Sequence, residues 1–280
     1  MGGQLYIGTT EPNAAEVYRY DGGTTWTRVS SSTAGAVGGV STTTAIDSIS
    51  AMAVHGGALY VGTTEPNFAE VYRYNALPTP IQAWTKVSTI AGTAGTIGAT
   101  TNVDSVSAMA SFQGYLYVGT TEGTTAAIYR YDGQGTSGTG FTIVGTAGTF
   151  SGNGPLGAST ITGIGAVRSM AVFAGKLYLG IDPNTSANSA RIVKWDGNLT
   201  AGSNYTLVSS STAGVIAEDV GATTGIERVT SMAIYHDNLF VGTYENTAKA
   251  EVYKIDEGGL WTKVSSSTAG VIKQGGTSAK

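Results

Sequence analysis

The residues best suited to chemistry in this 280-residue chain are acids that recur at one position: Glu11, Glu65, Glu122, Asp182 and Glu245. In four of the five copies an asparagine lies one or two residues further on, as Asn13, Asn67, Asn184 and Asn246. A carboxylate accepts paired hydroxyl hydrogens, and an amide both donates and accepts, so this set suits the hydroxyls of a sugar. Two other chemistries use the same groups. Paired carboxylates can hydrolyse a glycosidic bond, and hard oxygens can bind calcium. One acid per loop is thin for a calcium shell of roughly six to eight oxygens. The sequence therefore predicts no metal.

An active site is normally asymmetric, whereas these acids follow a repeat. Glu16, Glu70 and Glu251 share a second position, Asp21, Asp132, Asp196 and Asp256 a third, and Asp47, Asp104 and Glu227 a fourth. Fifteen of the 19 acids fall into these sets, and the exceptions Glu218, Asp219, Asp237 and Glu257 are scattered over connectors and turns. The cations Arg19, Arg73, Arg130, Lys194 and Lys254 also recur at one place. Spread by symmetry, they cannot converge on one anionic sugar, and they are expected to form salt bridges or hydrogen bonds between repeats. His55 and His236 show no metal-ligand spacing. "GTTEP" lacks the Gly-Lys of a phosphate loop, and its glycine is expected to give a tight exit from the preceding strand. The reading predicts no catalytic residues, no enzymatic activity and no cofactor.

The elements that carry these residues repeat as well. "GQLYIGTTEPNAAEVYRY" from Gly3 returns almost unchanged from Gly57, and weaker copies place Leu5, Leu59, Leu116, Leu177 and Leu239 at intervals of 54 to 62 residues. Within one repeat the period is two. Residues 48–88 hold four β-rich runs, "SAMAV", "ALYVGT", "AEVYRY" and "WTKV", separated by turn residues. With 41 glycines and 12% charged residues, the composition suits strands and turns. The first run carries small residues around Met52, Met109, Met170 and Met232, which are expected to be buried innermost. The fourth opens on Trp26, Trp84, Phe141, Tyr205 or Trp261, rings that can fill a wider outer gap.

Four antiparallel strands repeated five times predict an all-β fold: a five-bladed β-propeller of four-stranded blades, over residues 1–280 as one domain. The repeats run approximately over 1–47, 48–104, 105–166, 167–227 and 228–280. The innermost strand occurs only four times, so the first blade is expected to lack it and to leave an edge open to association with another chain, or the chain to be a piece of a longer one. All five repeats resemble propeller blades, and the nearest functional analogy is with repeat lectins of the tachylectin-2 type. Asp21-Gly22-Gly23-Thr24-Thr25-Trp26 resembles the Asp-box of sialidase-like propellers, a structural turn between the two outer strands, with Arg19 where that pattern has Ser or Thr.

The net charge of −4 removes the basic surface that nucleic acid requires. No apolar run approaches the roughly 18 residues that span a bilayer, so no membrane insertion is expected. The acids of the tips share a propeller face with long Ser- and Thr-rich connectors such as "SSSTAGVIAEDVGATTGIE". From this follows the expected function: a non-catalytic, multivalent recognition module binding carbohydrate through Glu11, Asn13, Glu65, Asn67, Glu122, Asp182, Asn184, Glu245 and Asn246. An architectural or protein-binding module of a cell-surface or virion protein is one alternative, and a glycosidase-like enzyme the other. The expected partner is a glycan or a cell-surface or virion protein, and the expected location extracellular, on a cell surface or on a virion. The tip acids are expected to be dispensable for folding.

Overall fold

The structure, a computed structural model, describes residues 3–38, 43–75, 83–88, 94–133, 140–154, 157–183, 189–199, 205–218, 223–247, 249–268 and 270–272. Every regular element within them is a strand. Two compact units result: Met1–Glu122 with Ile128–Ile143, and Gly123–Ala127 with Val144–Lys280.

The first unit opens with a three-stranded antiparallel sheet of β1 (Tyr6–Gly8), β2 (Val17–Gly22) and β3 (Thr25–Arg28). Two four-stranded meanders follow. One is β4 (Ser48–His55), β5 (Ala58–Thr64), β6 (Val71–Tyr74) and β7 (Trp84–Lys86). The other is β8 (Ser105–Phe112), β9 (Tyr115–Thr121), β10 (Ile128–Tyr131) and β11 (Phe141–Ile143).

The second unit begins with a hairpin of β12 (Thr149–Gly154) and β13 (Gly157–Thr162). Its first meander is β14 (Ile164–Phe173), β15 (Lys176–Pro183), β16 (Arg191–Trp195) and β17 (Tyr205–Leu207). Its second is β18 (Arg228–Tyr235), β19 (Asn238–Tyr244), β20 (Val252–Asp256) and β21 (Trp261–Lys263).

The first two strands of each four-stranded sheet are joined by two residues with positive φ: Gly56-Gly57, Gln113-Gly114, Ala174-Gly175 and His236-Asp237. Such a pair twists with the strands and closes the hairpin tightly. One end of each inner hairpin is thereby fixed. The opposite end, where β4 begins and β5 stops, pairs Ser48 with Thr64, and the next sheet pairs Ser105 with Thr121. Asp47 and Glu65, then Asp104 and Glu122, flank those pairs.

The glycine of "VGT" has a different role from the expected strand exit. A Cβ on Gly62 would stand 2.2 Å from Cγ1 of Val106, and one on Gly8 2.4 Å from Cβ of Ile49. Each glycine lets the next sheet's aliphatic side chain rest directly on the backbone of the strand. The close approach is supported by Ser50, whose hydroxyl donates to the Val106 carbonyl at 2.8 Å.

Around these contacts the first unit buries Val61, Tyr72, Tyr74 and Trp84, and the second Ile192, Val229, Val241 and Tyr253. Of the four inner methionines only Met109 is buried, while Met52, Met170 and Met232 are partly exposed.

The charges of the two outer strands pair within their own sheet. Glu70, wholly buried, accepts from Lys86 Nζ at 2.8 Å and from the Tyr72 hydroxyl. Glu16 with Arg28 and Glu251 with Lys263 repeat the arrangement at 2.6 and 2.8 Å. Two of the cations expected to bridge repeats, Arg19 and Arg130, do otherwise. Arg19 pairs with Asp21 of its own strand at 2.6 Å, and Arg130 lies over the Tyr115 ring of its own sheet at 4.4 Å.

Candidate functional site

In the first unit the tip loops are held by the aspartates that precede the next sheet. Oδ1 of Asp47 accepts from the Asn13 amide at 2.8 Å, and Oδ1 of Asp104 from the Asn67 amide at 2.9 Å. The backbone reinforces both ties, with Glu11 N donating to the Asp47 carbonyl and Glu65 N to that of Asp104. Asn13 and Asn67 have φ of 58° and 63°, in the left-handed region that Asn tolerates better than most residues. Their side chains stay exposed. The repeat of "EPN" therefore builds a turn and holds an acid beside it.

The acids at the five equivalent positions differ sharply in environment. Glu11 is exposed. Glu65 is half-buried, and its Oε2 is buried without a hydrogen-bond partner among the described residues. Burial, and then the negative charge of Asp47, push its carboxyl above the usual range, against a smaller opposing effect of the Asp47 amide. Glu122 is also raised, chiefly by burial, although its Oε2 accepts from the Asp104 amide at 3.0 Å.

In the second unit Asp182 is ion-paired, with Arg168 at 3.1 Å and Arg228 at 3.9 Å. Glu245 is 5% exposed. Burial raises its pKa, but hydrogen bonds from the hydroxyl and amide of Thr247 outweigh it and leave the carboxyl below its ordinary value. That acid caps a turn. Asn246 is exposed beside it, and Asn184 lies outside the described residues.

Repetition in sequence thus hides asymmetry in chemistry. Glu65 is a carboxyl biased towards holding its proton, facing a second carboxylate across a strand pair. Signals for this pairing were present in the sequence, since Asp47 and Asp104 also recur, but only the strand register brings them opposite Glu65 and Glu122. Among the described residues no group of three or more His, Cys, Asp or Glu side chains could hold a metal ion.

No family model matches the chain, and no curated protein matches it. Solved structures do. One is a GH43 glycoside hydrolase engineered to display both endo-xylanase and exo-arabinofuranosidase activity, with 12% identity, a TM-score of 0.50, and coverage of 100% of this chain and 54% of that one. A GH43_1 enzyme from Xanthomonas citri matches at 11% identity and TM-score 0.50, over 93% of this chain and 87% of that one. CoXyl43, a GH43 β-xylosidase/α-arabinofuranosidase from a compost metagenome, matches at 10% identity and TM-score 0.50, over 93% and 91%. This chain spans about half the length of the first. The fold is that of a β-propeller, all-β and antiparallel, as the repeats predicted.

The expectations of a non-catalytic recognition module and of no enzymatic activity need correction. Three solved structures that share the fold at a TM-score of 0.50 are glycoside hydrolases, so the propeller does not itself argue against catalysis. The inference failed because it equated recurring sequence positions with equivalent chemistry. Half-buried Glu65, ion-paired Asp182 and turn-capping Glu245 occupy one repeat position and have three different environments.

Proposed function

We propose that this chain is a glycosidase-like enzyme that acts on a glycan at the carboxylate end of the inner hairpins of the first unit, with Glu65 as proton donor and Asp47 as its partner carboxylate. The observation that carries this reading is the buried, unpartnered Oε2 of Glu65 opposite Asp47. Hydrolysis of a glycosidic bond needs one carboxyl that gives a proton to the leaving oxygen and a second that activates water or attacks the sugar. A raised pKa extends the pH range over which the donor keeps its proton. Exposed Glu11, with Glu122, Asn13 and Asn67, supplies acceptors and donors for sugar hydroxyls along the same end of the sheets. The glycosidase neighbours supply the fold precedent, and their xylose- and arabinose-based substrates are the first to try.

Release of xylose from xylotriose and of arabinose from an arabino-oligosaccharide, whose leaving sugars need a proton, tests the proposal. Wild type should release them above background, and Glu65→Gln should lower the rate by about 100-fold or more, in keeping with loss of a general acid. The far-UV spectrum should be unchanged. Equal rates for Glu65→Gln and wild type would sink the assignment.

A further inference from the structure

The second unit holds a cleft of about 280 Å³ between successive sheets, lined by Val208, Ser209, Ser210, Glu218, Leu260 and Trp261 among others. At the corresponding place in the first unit Trp84 is buried, and the sequence explains why. "VSSSTAG" occurs at 29–35, 208–214 and 264–270, and the first two copies begin beside a tryptophan of the following sheet. Trp84 Nε1 donates to the Val29 carbonyl at 2.7 Å, and Trp261 Nε1 to the Val208 carbonyl at 2.8 Å. The frame is the same.

Three departures from the repeat surround Trp261. Gly38 becomes Ala217, and a methyl at Gly38 would meet Cβ of Trp84 at 3.1 Å, tight enough to push an indole outward. Tyr74, whose tilted ring lies 4.8 Å from that of Trp84, becomes Ile255, so Trp261 lacks that ring neighbour and meets Tyr253 edge-on at 6.5 Å. Trp84 is 3% exposed, whereas Trp261 is partly open. The third departure adds Glu218, one of the acids that break the repeat. Its Oε1 accepts from the hydroxyls of Ser210 and Thr212.

The rim is tied by hydrogen bonds of its own. Arg191 Nη1 donates to the carbonyls of Ser210 and Ser211 at 3.0 and 2.6 Å, and the Ser209 hydroxyl accepts from the Ile192 amide. An unstacked indole beside Leu260 offers an apolar platform, and a carboxylate among hydroxyls accepts and donates in-plane hydrogen bonds. A sugar ring presents those two surfaces together.

We infer that this cleft is a saccharide-binding site for one neutral sugar unit, separate from the carboxylates of the first unit, with Trp261 as platform and Glu218 as hydroxyl acceptor. A carbohydrate-active protein with such a site can hold one part of a glycan while another is processed. The inference does not depend on catalysis, because its readout is binding.

Tryptophan fluorescence of the full chain carrying Glu65→Gln, titrated with xylotriose and with maltotriose, tests it. At least one trisaccharide should give a saturable change. Glu218→Ala should weaken it about tenfold, equivalent to ~1.4 kcal/mol. The pair Ala217→Gly and Ile255→Tyr, which restores the residues of the first unit, should abolish the change. Absence of any saturable change, or an unaltered titration in both variants, would overturn the inference. Equal hydrolysis rates for Glu65→Gln and wild type with this titration intact would instead count only against the catalytic role of Glu65.

Discussion

The amide of Asn13 donates to Oδ1 of Asp47 at 2.8 Å, across 34 residues of chain. The same bond joins Asn67 to Asp104 at 2.9 Å. Removing the acceptor leaves an amide without its partner, so Asp104→Ala should cost about 1–2 kcal/mol. Asn67→Gly should be nearly neutral because glycine accepts its φ of 63°, whereas Asn67→Val should cost at least ~1 kcal/mol. Urea unfolding separates the three, and a neutral Asn67→Val would contradict the backbone assignment.

The carboxylate pair predicts a pH effect of definite sign. Asp47 is the second cause of the raised pKa of Glu65, after burial. Replacing it by Asn removes a like charge, so the Glu65 pKa should fall. Followed by carbon NMR of its carboxyl, Glu65 should therefore titrate at lower pH in Asp47→Asn than in wild type. A midpoint that stays in place or moves upward would show that Asp47 does not raise it.

Glu70 and Lys86 should behave as a buried ion pair. Glu70→Ala leaves the ammonium without its anion in a site where the carboxylate is fully buried, and should cost about 3–5 kcal/mol. The double replacement Glu70→Leu with Lys86→Met should recover much of that loss, because the pair itself adds little beyond a matched apolar pair. Thermal denaturation of the single and double variants decides it.

Much of this was legible in the sequence, and the failures have physical reasons. Period-two runs and turn residues located the strands of each sheet, because alternation is dictated by the pleat. The hairpin β12–β13 was missed: "GTFSGNGPLGASTIT" is rich in Gly, Ser and Thr and shows no apolar alternation, and only its backbone pairing reveals it. The candidate site was half visible. Glu65 was singled out, but its pairing with Asp47 depends on register, and the isolation of its Oε2 depends on packing that no local pattern encodes. The cleft beside Trp261 was invisible because its signal lies in departures from the repeat, at Ala217, Glu218 and Ile255.

The inner methionines give a last test of that unequal packing. Met109 is 9% exposed and lies between buried Ala108 and Ala110, so Met109→Asp places an unpaired charge in a dry layer and should cost ~3 kcal/mol or more. Met232 holds the same repeat position, yet it is partly exposed and its neighbours Ser231, Ala233 and Ile234 are all exposed. A carboxylate there can reach water. Met232→Asp should therefore cost less than half as much in urea unfolding, and equal losses would mean that the two inner strands are buried alike.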